Sequence, residues 1–173
     1  MFTIRPLDPT SDSEVRSIVA FSLMTVWETT PELRVDLRTV PGFSFEEIEK
    51  HTRQSARDPN HRYLVALDQD GALCGHTIFY LTHDADDVRY GYCFTRYVLP
   101  IHRRHGLASR FLTQALDWFG EHGARHAIAN SHVNNLPLRN LFERFGFKVV
   151  DRLEGRWPTL VLRRELEARK VRT

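Results

Sequence analysis

The sequence predicts a mixed α/β layer fold of the α+β type, with about seven strands and about four helices. Two observations carry this prediction. Short runs rich in aromatic and β-branched residues alternate with segments whose apolar residues recur at intervals of three and one. Along the chain, the predicted order is one strand, two helices, three strands, a helix, a strand, a helix and two strands, which is typical of a mixed layer fold.

The first half of the chain is predicted to hold one strand, two helices and a hairpin. The strand FTIRPL precedes a helix that Pro31 ends or bends, and a loop with Pro41 and Gly42 follows. Ser44 and Glu47 then match a capping box that opens a short charged helix, FEEIEKHTRQ. Beyond it, RYLVALD and ALCGHTIFYLTH form a hairpin around the turn QDG. The apolar positions of the first helix are Ile18, Phe21, Met24 and Trp27.

The second half alternates strands with two amphipathic helices. The strand YGYCFTRYVLP stops at Pro100, which cannot donate to a ladder. The next helix is ended by Gly120 and Gly123, and one stripe of it packs against a sheet: Ala108, Phe111, Leu112, Ala115, Leu116 and Phe119. After the strand ARHAIANS, Asn135 begins a helix that stops at Gly146 and has the stripe Leu138, Leu141, Phe142 and Phe145. FKVVDRL and TLVLRREL are the last two strands.

Composition limits the class of protein. With 173 residues, 42% of them hydrophobic and 27% charged, the chain fits a single domain over residues 1–173 with a sizeable core. No run approaches eighteen apolar residues, and no apolar stretch follows a basic start, so we expect neither a membrane partner nor secretion. Cys74 and Cys93 form no CxxC pair, and the nine histidines show no ligand spacing, so we expect no metal. A cytoplasmic location fits best.

Charge is unevenly distributed along the chain. Residues 1–138 carry 14 Lys or Arg and 17 Asp or Glu, whereas residues 139–173 carry 10 and 5. A basic end can bind nucleic acid, but a solvated face is the commoner explanation of such a charge excess. Nucleic acid is therefore disfavoured as a partner, and salt-dependent binding would reveal it.

The segment RRHGLA, Arg103–Ala108, joins a strand to the start of the long amphipathic helix. A helix start presents unpaired backbone N–H groups and partial positive charge, which favour phosphate. Gly106 allows close approach of a ligand, and Arg103 and Arg104 add charge. The segment is neither a P-loop nor a GxGxxG motif. On spacing alone, a phosphate cradle and an ordinary strand-to-helix turn with solvated arginines both stay open.

The longer segment VLPIHRRHGLASRFL, residues 98–112, resembles the acyl-coenzyme A binding motif of the GNAT acetyltransferase superfamily. The core of that motif is Arg or Gln, two residues, Gly, one residue, and then Gly or Ala. Arg103, Gly106 and Ala108 match it position for position.

A second segment, NLPLRNLFERFGF at residues 135–147, is similar to the late helix of the same family, which reads Asn, two residues, Ala, an aromatic residue and a terminal Gly-Phe. The order of elements agrees with the family from residue 3 to about residue 166. The resemblance implies a central, mostly antiparallel sheet of about seven strands flanked by about four helices.

The resemblance also implies a site for acetyl-CoA. The backbone N–H groups from about residue 104 to residue 109 would hold the pyrophosphate, and the preceding strand would lie along the pantetheine arm, with one N–H polarising the acetyl carbonyl. Asn135 would bond the cofactor, cap its helix, or do both. The implied cofactor-binding residues are Tyr97, Val98, Leu99, Arg103, Arg104, His105, Gly106, Leu107, Ala108, Ser109 and Asn135.

The chain departs from the family pattern in its catalytic groups. Leu138 replaces a small residue, and Phe142 stands where many members carry a tyrosine that protonates the departing thiolate. No Asp or Glu lies within residues 92–99, where several members place one. His132 is the remaining candidate for the general base, and a loop histidine with no catalytic role is the alternative interpretation.

We therefore expect a GNAT-type N-acetyltransferase that moves acetyl from acetyl-CoA to a primary amine by direct attack in a ternary complex. The acceptor, a small molecule or a peptide, would lie against the two early helices and the loop of Asp84, Asp86 and Asp87, which could attract a cationic amine. The alternative interpretation is that three acidic residues in a polar loop need no ligand. A homodimer is compatible with the sequence. The alternative function is that of a non-catalytic module that binds or senses acyl-CoA.

Overall fold

The computed structural model describes residues 1–29, 44–155 and 157–167, and within these ranges the predicted order of elements is confirmed. Pro31, Pro41 and Gly42 lie outside the described residues. The strands are β1 (Thr3–Pro6), β2 (His61–Leu67), β3 (Leu73–His83), β4 (Arg89–Val98), β5 (His126–His132), β6 (Lys148–Leu153) and β7 (Thr159–Glu165). The helices are α1 (Asp12–Thr29), α2 (Phe45–Ser55), α3 (Leu107–Glu121) and α4 (Leu136–Arg144).

The described strands form one seven-stranded sheet in the order β1-β2-β3-β4-β5-β7-β6. β1 pairs antiparallel with β2, and β7 pairs antiparallel with both β5 and β6. β4 pairs parallel with β5, where Tyr90 to Cys93 face His126 to Ala129. Seven strands and four α-helices in this arrangement confirm the predicted mixed α/β fold.

The residues cluster into two compact units, and the predicted single domain over residues 1–173 stays a prediction. The first unit comprises the described residues among 1–78 and 95–108, and the second comprises residues 79–94 and the described residues from 109 onward. In the first unit, the core joins α1 to its strands through Val15, Ile18, Val19, Tyr63, Val65 and Ile78. Met24 and Trp27, on the same helix, stay about half exposed.

Local sequence signals mark the start of α2 in the first unit and the end of α3 in the second. The predicted capping box of α2 is present, since the Ser44 hydroxyl accepts from the Glu47 N–H at 3.2 Å and the Glu47 carboxylate accepts from the Ser44 N–H at 3.2 Å. α3 differs from the prediction because Gly120 stays helical, and the helix ends one residue later at Glu121. Gly123, with φ +76°, supplies the left-handed residue beyond it.

In the second unit, the stripe of α3 packs as predicted. Phe111, Leu112, Ala115 and Phe119 are fully buried. Gly91 of β4 lies directly under the Phe119 ring, where an added Cβ would approach within 2.3 Å, so only glycine permits this close packing.

Candidate active site

The loop between β4 and α3 has a backbone shaped to bind an anion. Arg104 and Gly106 both have left-handed conformations, with φ +69° and +79°. Left-handed residues in a loop can turn neighbouring N–H groups toward one side, and the first turn of α3 adds N–H groups that have no acceptor within the helix. Arg104, His105 and Gly106 are exposed, and an added Cβ at Gly106 would meet no atom within 4 Å. The loop is therefore open to a phosphate group.

The end of β4 presents one backbone donor away from β3. The Leu99 N–H donates to the carbonyl of Cys74 on β3 at 2.9 Å. Since successive residues of a strand direct their N–H groups to opposite sides, the Val98 N–H points away from β3. Gly75 allows the two strands to approach, because an added Cβ there would lie 2.7 Å from the Tyr97 carbonyl oxygen.

Glu28, in the last turn of α1, joins the end of β4 to the loop. The Tyr97 hydroxyl donates to Glu28 Oε1 at 2.6 Å, and Arg103 Nη2 donates to Glu28 Oε2 at 2.7 Å. Burial, and then the bond to Glu28, raise the pKa of Tyr97 to about 12. No local signal announces a contact between residues 75 positions apart.

Two histidines, His102 just before the loop and His105 within it, contact the ring of Phe2. His102 Nε2 lies 3.6 Å from Asp68 Oδ2, and the Phe2 ring meets the rings of His102 and His105 edge-on, with centroids 5.6 and 6.3 Å apart. Both histidines, Phe2, Asp68 and Ile101 line an open cleft of about 270 Å³. This placement gives both histidines protein neighbours next to the loop.

His132 and Asn135 come together at the turn before α4, in the second unit. His132 Nδ1 accepts from the Asn134 N–H at 3.2 Å, so the neutral ring carries its proton on Nε2. The Asn135 N–H donates to the His132 carbonyl at 2.9 Å. Asn135 Oδ1 accepts from the Leu138 N–H at 3.2 Å, which confirms the predicted N-cap and does not use the two amide donors of Asn135.

Phe142 is a core residue of the second unit. Its side chain is 2% exposed, and its ring packs edge-on against Phe147 with centroids 4.8 Å apart. Leu138, one turn earlier on α4, is partly buried. The position for which the resemblance implied a tyrosine is thus filled here by a buried phenyl ring packed on another.

Three aromatic side chains of the second unit form a surface on β3 and β4, which we call the aromatic surface: Tyr80, Tyr92 and Phe94. The Tyr80 ring stacks on Tyr92 with centroids 5.2 Å apart and lies 6.2 Å from Phe94. Phe94 is 54% exposed. Burial raises the pKa of Tyr80 above its usual value and that of Tyr92 to about 12, so both phenols are uncharged near neutral pH.

The acidic loop between β3 and β4 uses one of its carboxylates to hold its own backbone. Asp84 Oδ1 accepts from the N–H groups of Asp86 and Val88 at 3.0 and 2.9 Å. Asp86 and Asp87 are exposed. Asp84 therefore has a structural role, and a cation would meet Asp86 and Asp87 first.

The described part of the chain contains neither a membrane-spanning helix nor a metal-binding cluster. No helix in that part is long and apolar enough to cross a membrane. Among the same residues, no group of three or more His, Cys, Asp or Glu side chains is placed to hold a metal ion. Cys74 and Cys93 are both buried and form no disulfide.

Comparison with known proteins places the chain in a family. Residues 26–147 match the profile of the acetyltransferase (GNAT) family, so the chain belongs to this family. The uncharacterized N-acetyltransferase YhfO of Bacillus subtilis (strain 168) is 27% identical over 95 residues, which are 54% of this chain. The match spans 64% of the length of YhfO.

Two solved structures show the same fold. The putative acetyltransferase yncA from Salmonella typhimurium, determined with acetyl-CoA, has a TM-score of 0.73 and 19% identity, and the match covers 98% of this chain and 96% of that one. A GNAT superfamily phosphinothricin acetyltransferase from Sinorhizobium meliloti, in complex with acetyl-CoA, has a TM-score of 0.70 and 22% identity, with 95% and 88% covered. The family match over residues 26–147 confirms the resemblance drawn from the sequence, and these structures agree with it in fold.

Proposed function

We propose that this protein transfers an acetyl group from acetyl-CoA to a primary amine, by direct attack of the amine within a ternary complex. The observation that carries the proposal is the loop at Arg103–Ala108, whose left-handed Arg104 and Gly106 and adjoining helix start fit a pyrophosphate. Acetyl-CoA supplies an activated thioester. The new N–C bond forms as the C–S bond breaks, and the amine loses a proton.

Val98 is the residue we assign to the acetyl carbonyl. Its N–H points away from β3, whereas the neighbouring Leu99 N–H is already used by Cys74. A fixed backbone donor at the carbonyl oxygen stabilises the negative charge that develops there. Tyr97, Val98 and Leu99 would lie beside the pantetheine arm, and Asn135 would offer its amide donors to the cofactor.

The proton released by the amine is assigned to His132 or to a water molecule that His132 orients. General bases of this kind contribute about 10² to 10⁴ in rate. The bond from the Asn134 N–H to His132 Nδ1 competes with this role, because proton uptake requires that same nitrogen. Loss of the proton directly to water is the simpler route if the bond persists.

The departing thiolate needs little help from the protein. Phe142 has no proton to give, but a thiol has a pKa of about 8.5, so its thiolate is a tolerable leaving group near neutral pH. Protonation by water after departure completes the balance of the reaction. The absence of a tyrosine at this position is therefore compatible with catalysis.

The aromatic surface supports an acceptor amine that carries an aromatic or apolar group. Phe94, on β4, exposes more than half of its side chain. Neutral aromatic rings favour flat apolar groups and also attract an ammonium ion through their faces. The exposed Asp86 and Asp87 support a different class, the polyamines, by charge alone.

One experiment tests the proposal against its alternative. Thiol release from acetyl-CoA is measured across a panel of aromatic amines, amino acids, polyamines and peptides, and binding of acetyl-CoA is measured in parallel by calorimetry. Release with at least one amine supports the transferase. Tight binding without release for any amine would favour the sensing module. A cytoplasmic location and a homodimer stay predictions, and sedimentation velocity tests the second.

A further inference from the structure

The carboxylate of Glu28 has a separate partner for each of its oxygens. One oxygen accepts from the Tyr97 hydroxyl at 2.6 Å, and the other accepts from Arg103 Nη2 at 2.7 Å. All three residues belong to the first compact unit. Glu28, a residue of α1, therefore holds both Tyr97 near the end of β4 and Arg103, the first residue of the proposed phosphate-binding motif.

The side chain of Arg103 is turned back onto β4. Its Nε donates to the Val98 carbonyl at 2.8 Å, and its guanidinium carbon lies 5.3 Å from the centroid of the Tyr97 ring. Two N–H groups of the guanidinium, on Nε and Nη2, thus donate to protein acceptors, and the Glu28 carboxylate neutralises its charge. That the Arg103 side chain supplies charge to the pyrophosphate stays a prediction. In this arrangement we expect the backbone of the motif and Arg104 to carry most of the attraction.

We propose that Glu28 is a positioning residue, which clamps Arg103 against the Val98 carbonyl and so fixes the strand segment whose N–H holds the acetyl group. The inference rests on the proposed function for its effect on rate. Displacement of a catalytic donor by about 1 Å can cost on the order of a hundredfold in rate. A clamp of this kind should act on turnover more than on the affinity for the cofactor.

A purely stabilising ion pair is the competing explanation. The Arg103 and Glu28 side chains are 41% and 30% exposed, and pairs this open to water contribute little to stability. Removing the charge of Glu28 should therefore leave the protein folded, which makes kinetic comparison possible.

Glu28→Gln is the test variant, because glutamine keeps one oxygen for the Tyr97 hydroxyl but offers Arg103 no carboxylate. Its matched control is Glu143→Gln, which removes a similarly exposed glutamate from its pair with Arg139 on α4 at 2.8 Å. Two acyl donors are compared, acetyl-CoA and S-acetylpantetheine, which lacks the pyrophosphate. For Glu28→Gln we expect kcat to fall roughly tenfold or more with both donors, with KM for acetyl-CoA changed less than about threefold. The control should match the parent.

Three kinetic or binding outcomes would overturn the clamp. An unchanged kcat with both donors is the first. A gain in affinity for acetyl-CoA alone is the second, since it would mean that Glu28 only repels the phosphates. The third comes from Arg103→Lys, which keeps the charge but cannot bond Val98 and Glu28 together. If Arg103→Lys retains full kcat, or if its loss adds to that of Glu28→Gln in the double variant, the two residues do not act as a unit.

A readout without catalysis separates failure of the clamp from failure of the proposed function. Amide hydrogen exchange of residues 97–104 should be about tenfold faster in Glu28→Gln than in the parent, and unchanged in Glu143→Gln. If the parent acetylates no amine, the proposed function fails, and the clamp is judged by exchange alone. Equal exchange in the parent and in Glu28→Gln rejects it.

Discussion

The His76 ring lies stacked on that of Phe21, with centroids 5.9 Å apart and planes inclined by 16°. His76 is fully buried on β3, and in the described structure its Nδ1 has no hydrogen-bond partner, while Nε2 lies 3.4 Å from the Ser22 hydroxyl. Burial, and then the charge of Arg96, lower the pKa of His76 to about 3. The folded protein therefore holds this imidazole neutral.

A buried neutral histidine makes stability fall with acidification. Below pH 6.5, the ordinary pKa of histidine, His76 binds a proton in the unfolded chain, but in the folded protein it stays neutral down to about pH 3. The free energy of unfolding therefore decreases as the pH falls from 6.5 to about 3. We expect a loss of roughly 2 kcal/mol between pH 7.5 and pH 5.0. Urea unfolding of the parent and of His76→Leu at several pH values measures this loss, as the difference between the two proteins in how steeply the free energy of unfolding changes with pH. Equal slopes would show that His76 is already protonated or exposed.

Gly106→Val should weaken binding of acetyl-CoA. Valine at φ +79° strains the backbone, and its side chain would occupy the open space against which the pyrophosphate is expected to lie. Gly71→Val is the matched control, because Gly71 has φ +80° and the same open surroundings in the β2–β3 turn. Calorimetry should give at least about a tenfold weaker affinity for Gly106→Val only. Equal affinities in both folded variants would make the loop assignment wrong.

Phe94→Ala should raise KM for the acceptor and leave KM for acetyl-CoA unchanged. The side chain is 54% exposed, so its loss costs little stability, and an aromatic contact with a substrate is worth roughly 1 kcal/mol, or about fivefold in KM. Val150→Ala removes a comparably exposed apolar side chain from β6 and serves as the control. Steady-state kinetics with aromatic amines and with polyamines decide the class. A preference for polyamines that survives Phe94→Ala would move the acceptor to the acidic loop.

The elements that were predictable share one property, which is that their signal is local. The stripe through Phe111, Leu112, Ala115 and Phe119 follows from helical periodicity, and the capping box of Ser44 and Glu47 from a spacing of three. The left-handed Gly106 lies where the motif requires a glycine.

The interactions that were missed join distant parts of the chain. Glu28 meets Arg103 across 75 positions, and the His76 ring meets Phe21 across 55. Neither pair has a spacing that a single sequence can display, because the contact depends on how α1 packs against the strands. For the same reason, the sequence alone does not indicate that the Arg103 side chain folds back onto the Val98 carbonyl.

His132 is tested by two substitutions that separate a base from a structural acceptor. His132→Ala removes both functions, whereas glutamine in His132→Gln offers an oxygen to the Asn134 N–H and takes up no proton. If His132 is the base, both variants lower turnover at pH 7 and change the pH–rate profile, with cofactor affinity intact. Full activity in His132→Gln, with a loss of thermal stability confined to His132→Ala, would assign the residue to the turn before α4 instead.

Phe142→Tyr should raise turnover by no more than about tenfold, below the usual 10² to 10⁴ for general acid catalysis. The reason is that a thiol with a pKa of about 8.5 departs without much assistance. Since Phe142 is 2% exposed and packs on Phe147, the new hydroxyl also enters an apolar environment, which should lower the melting temperature. Melting temperature and kcat are measured on the same preparation of the variant. A gain in kcat far above tenfold would mean that this enzyme lacks an acid that its reaction needs. A lower melting temperature with unchanged kcat would mean that Phe142 serves only the core.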